Sequence, residues 1–252
     1  MKPKIITALA CVCFTNFANA EVNNDRWSGL YGGIDAGGSR INAKASTWTI
    51  DTTSPIGGGR GTSSGSDHWF GSLGGVHLGY NWVLPNNVLL GLEGGFGASS
   101  LKHNAEGISQ YGISYKTYNL DNYLTGKGKI GYIVNDWIFY GLAGVTSTRL
   151  KTSNTQGPCG DGNTPPGYSV ANCSSGPYTA VPYGTKDSSS HNLLGWTVGA
   201  GAEVAINQFW SAKLEYVYTD FGSVNVANPS FNRESSYKFK TDTLQIGINY
   251  KF

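Results

Sequence analysis

Three histidines are the residues of this sequence whose chemistry is easiest to name. His68, His103 and His191 each lie where a predicted strand meets a long polar segment, and the three junctions fall at one end of the predicted fold. A neutral imidazole ligates iron or a divalent metal, so three of them at one rim could hold haem iron. The alternative is that they are ordinary polar rim residues, because the sequence does not give their mutual distances.

Two cysteines, Cys159 and Cys173, lie 14 positions apart in one of these polar segments. An exported protein meets an oxidising compartment, so we predict that they form a disulfide. Such a bridge would restrict the tip of a loop rather than hold the fold together. The alternatives are two free thiols, or a zinc site, which would need further ligands that the neighbouring sequence does not supply.

Six charged residues share a face with glycines in segments that alternate between apolar and polar residues. In "LLGLEGGF", for example, Glu93 takes the face opposite Leu90 and Leu92. Acids and bases are equal in number on this face, so we predict a charge network inside the fold in which they neutralise one another. His77 alternates onto the same face, and we interpret it as a hydrogen-bonded interior residue rather than a ligand. The six are Glu93, Lys127, Lys129, Glu203, Lys213 and Glu215.

Enzymatic activity has the least support from the residues. Asp67 beside His68, and Asp187 near His191, are the carboxylate–histidine neighbours at the rims, and no activated nucleophile can be assigned to them. The run "GGGRGTSSGS" lacks the lysine and the following helix of a phosphate-binding loop. We therefore predict a protein that is not an enzyme and has no resident metal or cofactor, with haem as the one candidate.

The composition favours export and disfavours nucleic acid as a partner. Residues 1–20 start with Lys2 and Lys4, continue with an apolar stretch and end with Ala18-Asn19-Ala20, as a secretory signal peptide does. Those two lysines are among 18 basic residues, so residues 21–252 carry 16 basic and 16 acidic residues and no basic field. Thirty-six glycines and 15 tyrosines against one methionine favour strands and turns.

Eight stretches with apolar/polar alternation are predicted to be strands. Three tight turns, Pro85–Asn87, Asn135–Asp136 and Asn207–Gln208, alternate with four long polar segments, residues 40–69, 102–118, 152–190 and 222–238. The predicted strands are Gly29–Ser39, Phe70–Val83, Val88–Leu101, Asn119–Val134, Trp137–Lys151, His191–Ile206, Phe209–Phe221 and Phe239–Phe252.

This arrangement predicts an all-β fold over residues 21–252. The fold is an eight-stranded antiparallel up-and-down transmembrane β-barrel with four long outside loops and three short periplasmic turns. A water-soluble barrel is the alternative, but its outer face would carry more charges and fewer glycines than either face here. A narrow lumen suits small residues with a few compensating charges, and the apolar face then meets lipid. Residues 137–150 are apolar on both faces, so their facing stays open.

Several segments together resemble one family, the porin-family outer-membrane β-barrels of small bacterial surface proteins, which include opacity-like and haemin-binding members. They are "WSGLYGGIDAGGS", "GGVHLGYNW", "LLGLEGGFGAS", "GWTVGAGAEVAI", "WSAKLEYVYTDFGS" and "TDTLQIGINYKF". The resemblance implies that Phe252 is the C-terminal aromatic read by the barrel assembly machinery. It implies a location in the bacterial outer membrane and says little about activity, because the shared residues build the barrel.

The expected function is that of a monomeric surface protein that contributes to envelope integrity and to surface or host interaction. Its expected partners are outer-membrane lipid, the assembly machinery and a host-surface ligand or haemin. A haemin-binding surface receptor and a small non-specific porin are the alternatives.

Overall fold

Eight long strands follow one another along the chain in the computed structural model, which describes residues 26–50, 60–109, 112–156, 186–228 and 233–252. Each strand pairs antiparallel with the next, and the eighth pairs back with the first, so the sheet is a closed up-and-down barrel. The predicted fold class is thereby confirmed. The strands are β1 (Gly29–Ile50), β2 (Arg60–Leu84), β3 (Val88–Ser109), β4 (Gly112–Val134), β5 (Trp137–Gln156), β6 (Lys186–Ala205), β7 (Trp210–Asn228) and β8 (Arg233–Lys251).

The last strand is not an exposed edge, because β1 covers it. The pairing of β1 with β8 runs from Tyr31 opposite Lys251 to Thr49 opposite Arg233. Just beyond this ladder, the backbone N–H of Phe252 donates to the carbonyl of Leu30 at 3.0 Å. Closure of this kind removes the unpaired donors and acceptors that make a sheet edge prone to aggregation.

Three short turns lie together at one end of the barrel, which we call the turn end; the opposite end is the far end. Asn86, Asn87 and Asn135 adopt φ of 62°, 62° and 56°. Asparagine tolerates this left-handed region because its short polar side chain bonds to nearby backbone. In the third turn, Asn207 Oδ1 accepts hydrogen bonds from the backbone N–H groups of Phe209 and Trp210, at 2.8 and 2.9 Å. All three turns lie where the sequence predicts them.

At the far end the strands extend well beyond their predicted bounds. Much of the segment 40–69, predicted as a loop, belongs to β1 and β2, which stay paired as far as Ile50 and Arg60. In the same way β3 and β4 stay paired as far as Ser109 and Gly112. The predicted strands were too short because strands were recognised by their apolar alternation. Backbone ladders form equally well between polar Ser- and Gly-rich segments, which lack that alternation.

Some predictions lie outside the described residues. The signal peptide falls within residues 1–25, and the Cys159–Cys173 disulfide falls within residues 157–185. Both stay predictions. Among the described residues, no helix has the length and apolar character needed to cross a membrane.

A belt of large apolar side chains faces outward around the barrel. On β8, Leu244, Ile246 and Ile248 are 45–63% exposed, while their lumen-facing neighbours Thr243 and Gln245 are buried. From Leu244 to Phe252, a rise of about 3.3 Å per residue and a tilt of about 40° give a belt height of roughly 20 Å. A belt of this height needs apolar surroundings. Aromatic residues mark its turn-end border: Trp82, Tyr132, Trp137, Trp210 and Tyr250.

The structure decides the facing of β5, which the sequence leaves open. Ile138, Tyr140 and Leu142 are buried in the lumen, whereas Phe139 and Val145 are exposed on the outer face. The alternation was unreadable because both faces of this strand are apolar.

Three register irregularities lie at the far-end border of the belt. They fall between Ala98 and Leu101, between Leu120 and Tyr123, and between Asp220 and Ser223. In β4 the extra residue exchanges the two faces. Odd-numbered residues face the lumen on the turn-end side of the irregularity, and even-numbered residues face it on the far-end side. The side chains at the far-end mouth therefore cannot be assigned by continuing the alternation from the belt.

The closed ladder predicts resistance to detergent until the protein is heated, because every strand is hydrogen-bonded on both sides. Unboiled and boiled samples of membrane-inserted protein should migrate differently on an SDS gel. Identical migration of the two samples would contradict a closed barrel.

Candidate functional site: the charged lumen

The middle of the lumen holds a network of buried charges centred on Glu93. Its carboxylate lies 2.7 Å from Lys127 Nζ, 3.2 Å from Lys129 Nζ and 3.4 Å from Lys213 Nζ. The hydroxyl of Tyr31 donates to the same carboxylate at 2.9 Å and accepts from Lys129 Nζ at 2.6 Å. Glu93 is only 4% exposed, so these contacts replace its hydration.

Glu215 is the second carboxylate of the network. Lys127 Nζ lies 3.1 Å from one oxygen and Lys213 Nζ 3.7 Å from the other. The hydroxyl of Tyr140 and the amide of Gln245 each donate to Glu215 at 2.7 Å. Glu215 has no measurable exposure, and both of its oxygens are satisfied by buried donors.

Asp35 is the third carboxylate, and sequence reasoning missed it. Lys213 Nζ lies 3.2 Å from Asp35 Oδ1, and His77 Nδ1 lies 2.7 Å from Asp35 Oδ2. The three lysines therefore face three carboxylates, which keeps this buried layer electrically balanced. The alternation of β1 could have revealed it, because Asp35 and Tyr31 are both odd-numbered and therefore lie on the same face of the strand. We call Asp35, Glu93, Lys127, Lys129, Lys213 and Glu215 the charge network.

Glu203 lies in the lumen but contacts neutral groups instead of a lysine. It accepts hydrogen bonds from the Ser211 hydroxyl at 2.5 Å and from Asn249 Nδ2 at 2.6 Å. Although Lys213 is its cross-strand neighbour, that ammonium reaches across the lumen to the charge network. The predicted pairing of all six residues thus differs from the structure at Glu203.

His77 connects Glu203 to the charge network. The amide nitrogen of Asn249 is directed at Glu203, so its Oδ1 faces His77 Nε2, at 2.7 Å. Both ring nitrogens of His77 therefore face oxygen atoms. No metal need be invoked for this histidine.

Glycines make room for the tyrosines that serve the network. Tyr31 lies opposite Gly79 in the ladder, and Tyr140 lies opposite Gly201. A Cβ at either glycine would overlap the tyrosine ring beside it. The glycines on the lumen face thus allow long polar side chains to lie flat across a barrel that is too narrow for two large residues at one level.

A ring of apolar side chains packs across the lumen at the far end, and we call it the apolar ring. It takes one residue from each of the eight strands, and all eight are buried. A cavity of about 80 Å³ lies between this ring and the charge network, lined in part by the hydroxyls of Thr146, Thr148, Thr197 and Thr219. The ring consists of Ile41, Trp69, Leu101, Leu120, Leu150, Leu193, Phe221 and Phe239.

A second apolar cluster packs on the turn-end side of the charge network. Trp27 enters it from the segment before β1, and the preceding Arg26 is held by Asp136 of the second turn at 2.6 Å. Apolar side chains therefore flank the charge network toward both ends of the barrel. The cluster consists of Trp27, Leu89, Ile133, Ile138, Tyr140, Leu142 and Val217.

The structure does not bring His68, His103 and His191 together. His68 is exposed on the outer face of β2, whereas its neighbour Trp69 is buried in the apolar ring. His103 stacks on Trp69 inside the far-end mouth, with ring centroids 4.6 Å apart, and its Nε2 lies 2.6 Å from Asp67 Oδ2. His191 is half-buried on the lumen face of β6. In the described part of the chain, no three His, Cys, Asp or Glu residues are grouped to hold a metal ion.

Tyr118 adds a third ring to the far-end mouth. It stacks near Trp69 and makes a tilted contact with Tyr237, with ring centroids 6.4 and 6.0 Å away. We call Trp69, His103 and Tyr118 the aromatic mouth: Trp69 is buried in the apolar ring, and His103 and Tyr118 are partly exposed above it.

Comparisons with known proteins agree with this geometry. The family model of the outer membrane protein beta-barrel domain matches residues 5–252. The 31 kDa outer-membrane immunogenic protein of Brucella melitensis is 30% identical over 237 residues, which cover 92% of this chain and 87% of that protein. The 22 kDa outer membrane protein of Rhizobium leguminosarum is 29% identical over 202 residues, covering 77% and 75%.

Among solved structures, that of Ail, the attachment invasion locus protein of Yersinia pestis, is 14% identical. The match covers 89% of this chain and 99% of that chain, with a TM-score of 0.38. A similarity at this level carries no argument about function.

The charge network predicts that Lys127 is far more important for stability than an exposed lysine. Lys127→Met should lower the free energy of unfolding by about 3–5 kcal/mol, because Glu93 and Glu215 would be left buried with one cation fewer. Lys102→Met, at an exposed position of β3, is the matched control and should change it by less than about 0.5 kcal/mol. Urea unfolding of the protein in lipid vesicles measures both. Equal, small effects would place Lys127 in contact with solvent and contradict the network.

Proposed function

This chain belongs to the outer membrane protein β-barrel family and lies in the bacterial outer membrane, and from that premise we propose that it is a sealed surface barrel. It contributes to envelope integrity through its wall and contacts the surroundings of the cell with its far end. The observation that supports this proposal is the filled lumen: a balanced network of buried charges with apolar side chains packed toward both ends. A chain with such an interior has its functional surfaces on the outside.

A small non-specific porin is supported less well by the same geometry. An eight-stranded barrel has an interior just wide enough for its own side chains. Here the cavity between the apolar ring and the charge network has a volume of about 80 Å³, room for a few water molecules rather than a solute. A conducting path would have to separate Lys127 from Glu93, whose charged atoms lie 2.7 Å apart.

The proposed orientation places the turn end in the periplasm and the far end outside. Barrels of the outer membrane have short periplasmic turns and longer extracellular extensions, and the strands of this chain extend past the apolar belt only at the far end. The Brucella relatives are named immunogenic, which agrees with an outer end that is exposed on the cell. By family resemblance, Phe252 serves the barrel assembly machinery; its ring is 70% exposed beside Tyr250.

A haemin receptor is the second candidate function, and the aromatic mouth is the observation that favours it. His103 and Tyr118 present partly exposed rings, stacked on the buried Trp69, at the far end, a surface that suits a flat porphyrin. In this arrangement His103 is the candidate iron ligand, with its Nε2 already oriented by Asp67. His68, on the outer face of the wall, cannot reach the same porphyrin.

If the barrel is sealed and supports the envelope, it should not conduct ions, and its loss should weaken the outer membrane. Purified protein in planar bilayers should give no steady conductance, because the charge network fills the lumen. A strain lacking the gene should become more sensitive to bile salts, and the wild-type gene should restore resistance. Stable ohmic steps from the folded protein would favour the porin. An unchanged sensitivity of the deletion strain would contradict a role in envelope integrity.

The haemin receptor predicts a difference between two histidines. His103→Ala should abolish the shift of the haemin absorption band in detergent, since it removes the ligand from the aromatic mouth. His68→Ala is the matched control and should leave the titration curve unchanged. Two unchanged curves would mean that haemin only partitions onto exposed aromatic rings, and would remove this candidate function.

A further inference from the structure

The outer side of the wall carries a patch of cations on β8 and β1, immediately beyond the apolar belt. The belt ends on β8 at Leu244, and the next outward positions are Asp242, Lys240 and Lys238. On β1, Arg40, Asn42 and Lys44 are the outward residues at the same levels. We call Arg40, Lys44, Lys238 and Lys240 the basic cluster.

The ladder holds these cations in close rows. Lys44 lies directly opposite Lys238, while Arg40 lies opposite Asp242 and Asn42 opposite Lys240. Paired positions on neighbouring strands have Cβ atoms about 5 Å apart, and like charges placed opposite one another are destabilising. Lys44 and Lys238 therefore repel each other in the isolated barrel, and an anion between them would relieve that repulsion.

Two carboxylates in the patch balance only part of this charge. Asp220 lies 3.2 Å from Lys240 Nζ and 3.7 Å from Lys238 Nζ. Asp242 is engaged by neutral donors, since it accepts hydrogen bonds from Tyr216 at 2.7 Å and from Asn42 at 3.2 Å. In the described part of the chain neither Arg40 nor Lys44 lies within 4 Å of a carboxylate. Four cations against two anions leave a positive surplus at the belt border.

On the turn-end side of the basic cluster, the outer wall has a shallow apolar depression. The outward residues of β1 and β2 there are small, Ala36 and Gly38 facing Gly74 and Ser72, and Leu244 and Ile246 of β8 stand beside them. A Cβ at Gly38 would meet no atom closer than 4.0 Å, so this surface is open. The depression lies within the belt, where acyl chains surround the protein.

We propose that the basic cluster and this depression form one site for an anionic phospholipid-type molecule in the membrane leaflet at the far end of the barrel. The phosphate binds the ammonium groups of Lys44, Lys238 and Lys240, and an acyl chain lies along Gly38 and Ala36. The guanidinium of Arg40 lies over the Phe70 ring, 5.9 Å from its centroid, and adds positive charge to the same border. Lysine and arginine are the side chains that bind phosphate best, and at a membrane border their stems extend toward the head groups. A soluble polyanion fits less well, because the cluster lies on the side of the wall at the belt border.

The test compares folded full-length protein with two variants that lose the same charge. Lys44→Gln/Lys238→Gln removes two cations of the cluster, and Lys102→Gln/Arg149→Gln removes two exposed cations of β3 and β5. Phosphatidylglycerol and phosphatidylcholine are titrated into detergent-solubilised protein, and bound lipid is counted by native mass spectrometry. The wild type should prefer phosphatidylglycerol, the cluster variant should lose about tenfold of that preference, and the control should keep it.

If the cluster variant is folded and still prefers phosphatidylglycerol over phosphatidylcholine, the proposed site is wrong. Equal losses in the two variants would also overturn it, since they would report net charge alone. Sodium chloride should weaken the preference of the wild type, and a preference indifferent to salt would contradict phosphate recognition without any mutation. Displacement of the lipid by an equal concentration of inorganic phosphate would show that the acyl chain plays no part. Heparin binding lost in the cluster variant, with lipid binding retained, would assign the patch to a soluble polyanion.

Lys44→Glu separates lipid binding from a merely structural role. It replaces the repulsion with Lys238 by an attraction, so heat stability in detergent should be unchanged or raised. Binding of phosphatidylglycerol should nevertheless fall. A variant that loses stability and lipid together would show that Lys44 supports the wall rather than the ligand.

Discussion

Three ammonium groups converge on one buried carboxylate, that of Glu93, and the rest of the barrel follows from the need to keep this arrangement neutral. Ions removed from water are tolerated only when opposite charges and hydrogen bonds replace their hydration. Glu215 and Asp35 supply the missing negative charge. Tyr31 and Tyr140 supply the remaining donors, and the glycines opposite their rings exist because two large side chains cannot share one level of so narrow a lumen.

Closure of the sheet determines how the ends of this interior are sealed. Every strand of a closed barrel crosses each level once, so a level can be filled by one side chain from each strand. The apolar ring has this composition, whereas the cluster around Trp27 takes its residues from β3, β4, β5, β7 and the segment before β1. Between them the charges interact in a medium of low dielectric constant, where both their attraction and the cost of losing one partner are greater than in water.

The outer face of the same strands meets different surroundings along its length. Through the belt it is apolar because lipid surrounds it, and beyond the belt it becomes polar while the strands continue. In the charge network three lysines face three carboxylates, whereas on the wall of β8 and β1 cations exceed carboxylates. A family that shares a barrel without sharing a chemistry can therefore differ at its far end and its lipid border while the interior stays a structural element.

The alternation of residue types was enough to determine the closed eight-stranded fold, its three turns and the lumen face of Glu93, Lys127 and Lys213, because side chains on a strand alternate strictly. It could not determine where the strands end, since a Ser- and Gly-rich segment such as residues 60–69 pairs without any apolar signal. It left β5 open, whose two faces are both apolar. Only the tertiary structure decided which charges meet, because the stagger of the barrel brings Lys213 to Glu93 and Asp35 rather than to its ladder neighbour Glu203. It also placed His68 and His103 on opposite sides of the wall, which separates residues that a shared rim had suggested were together.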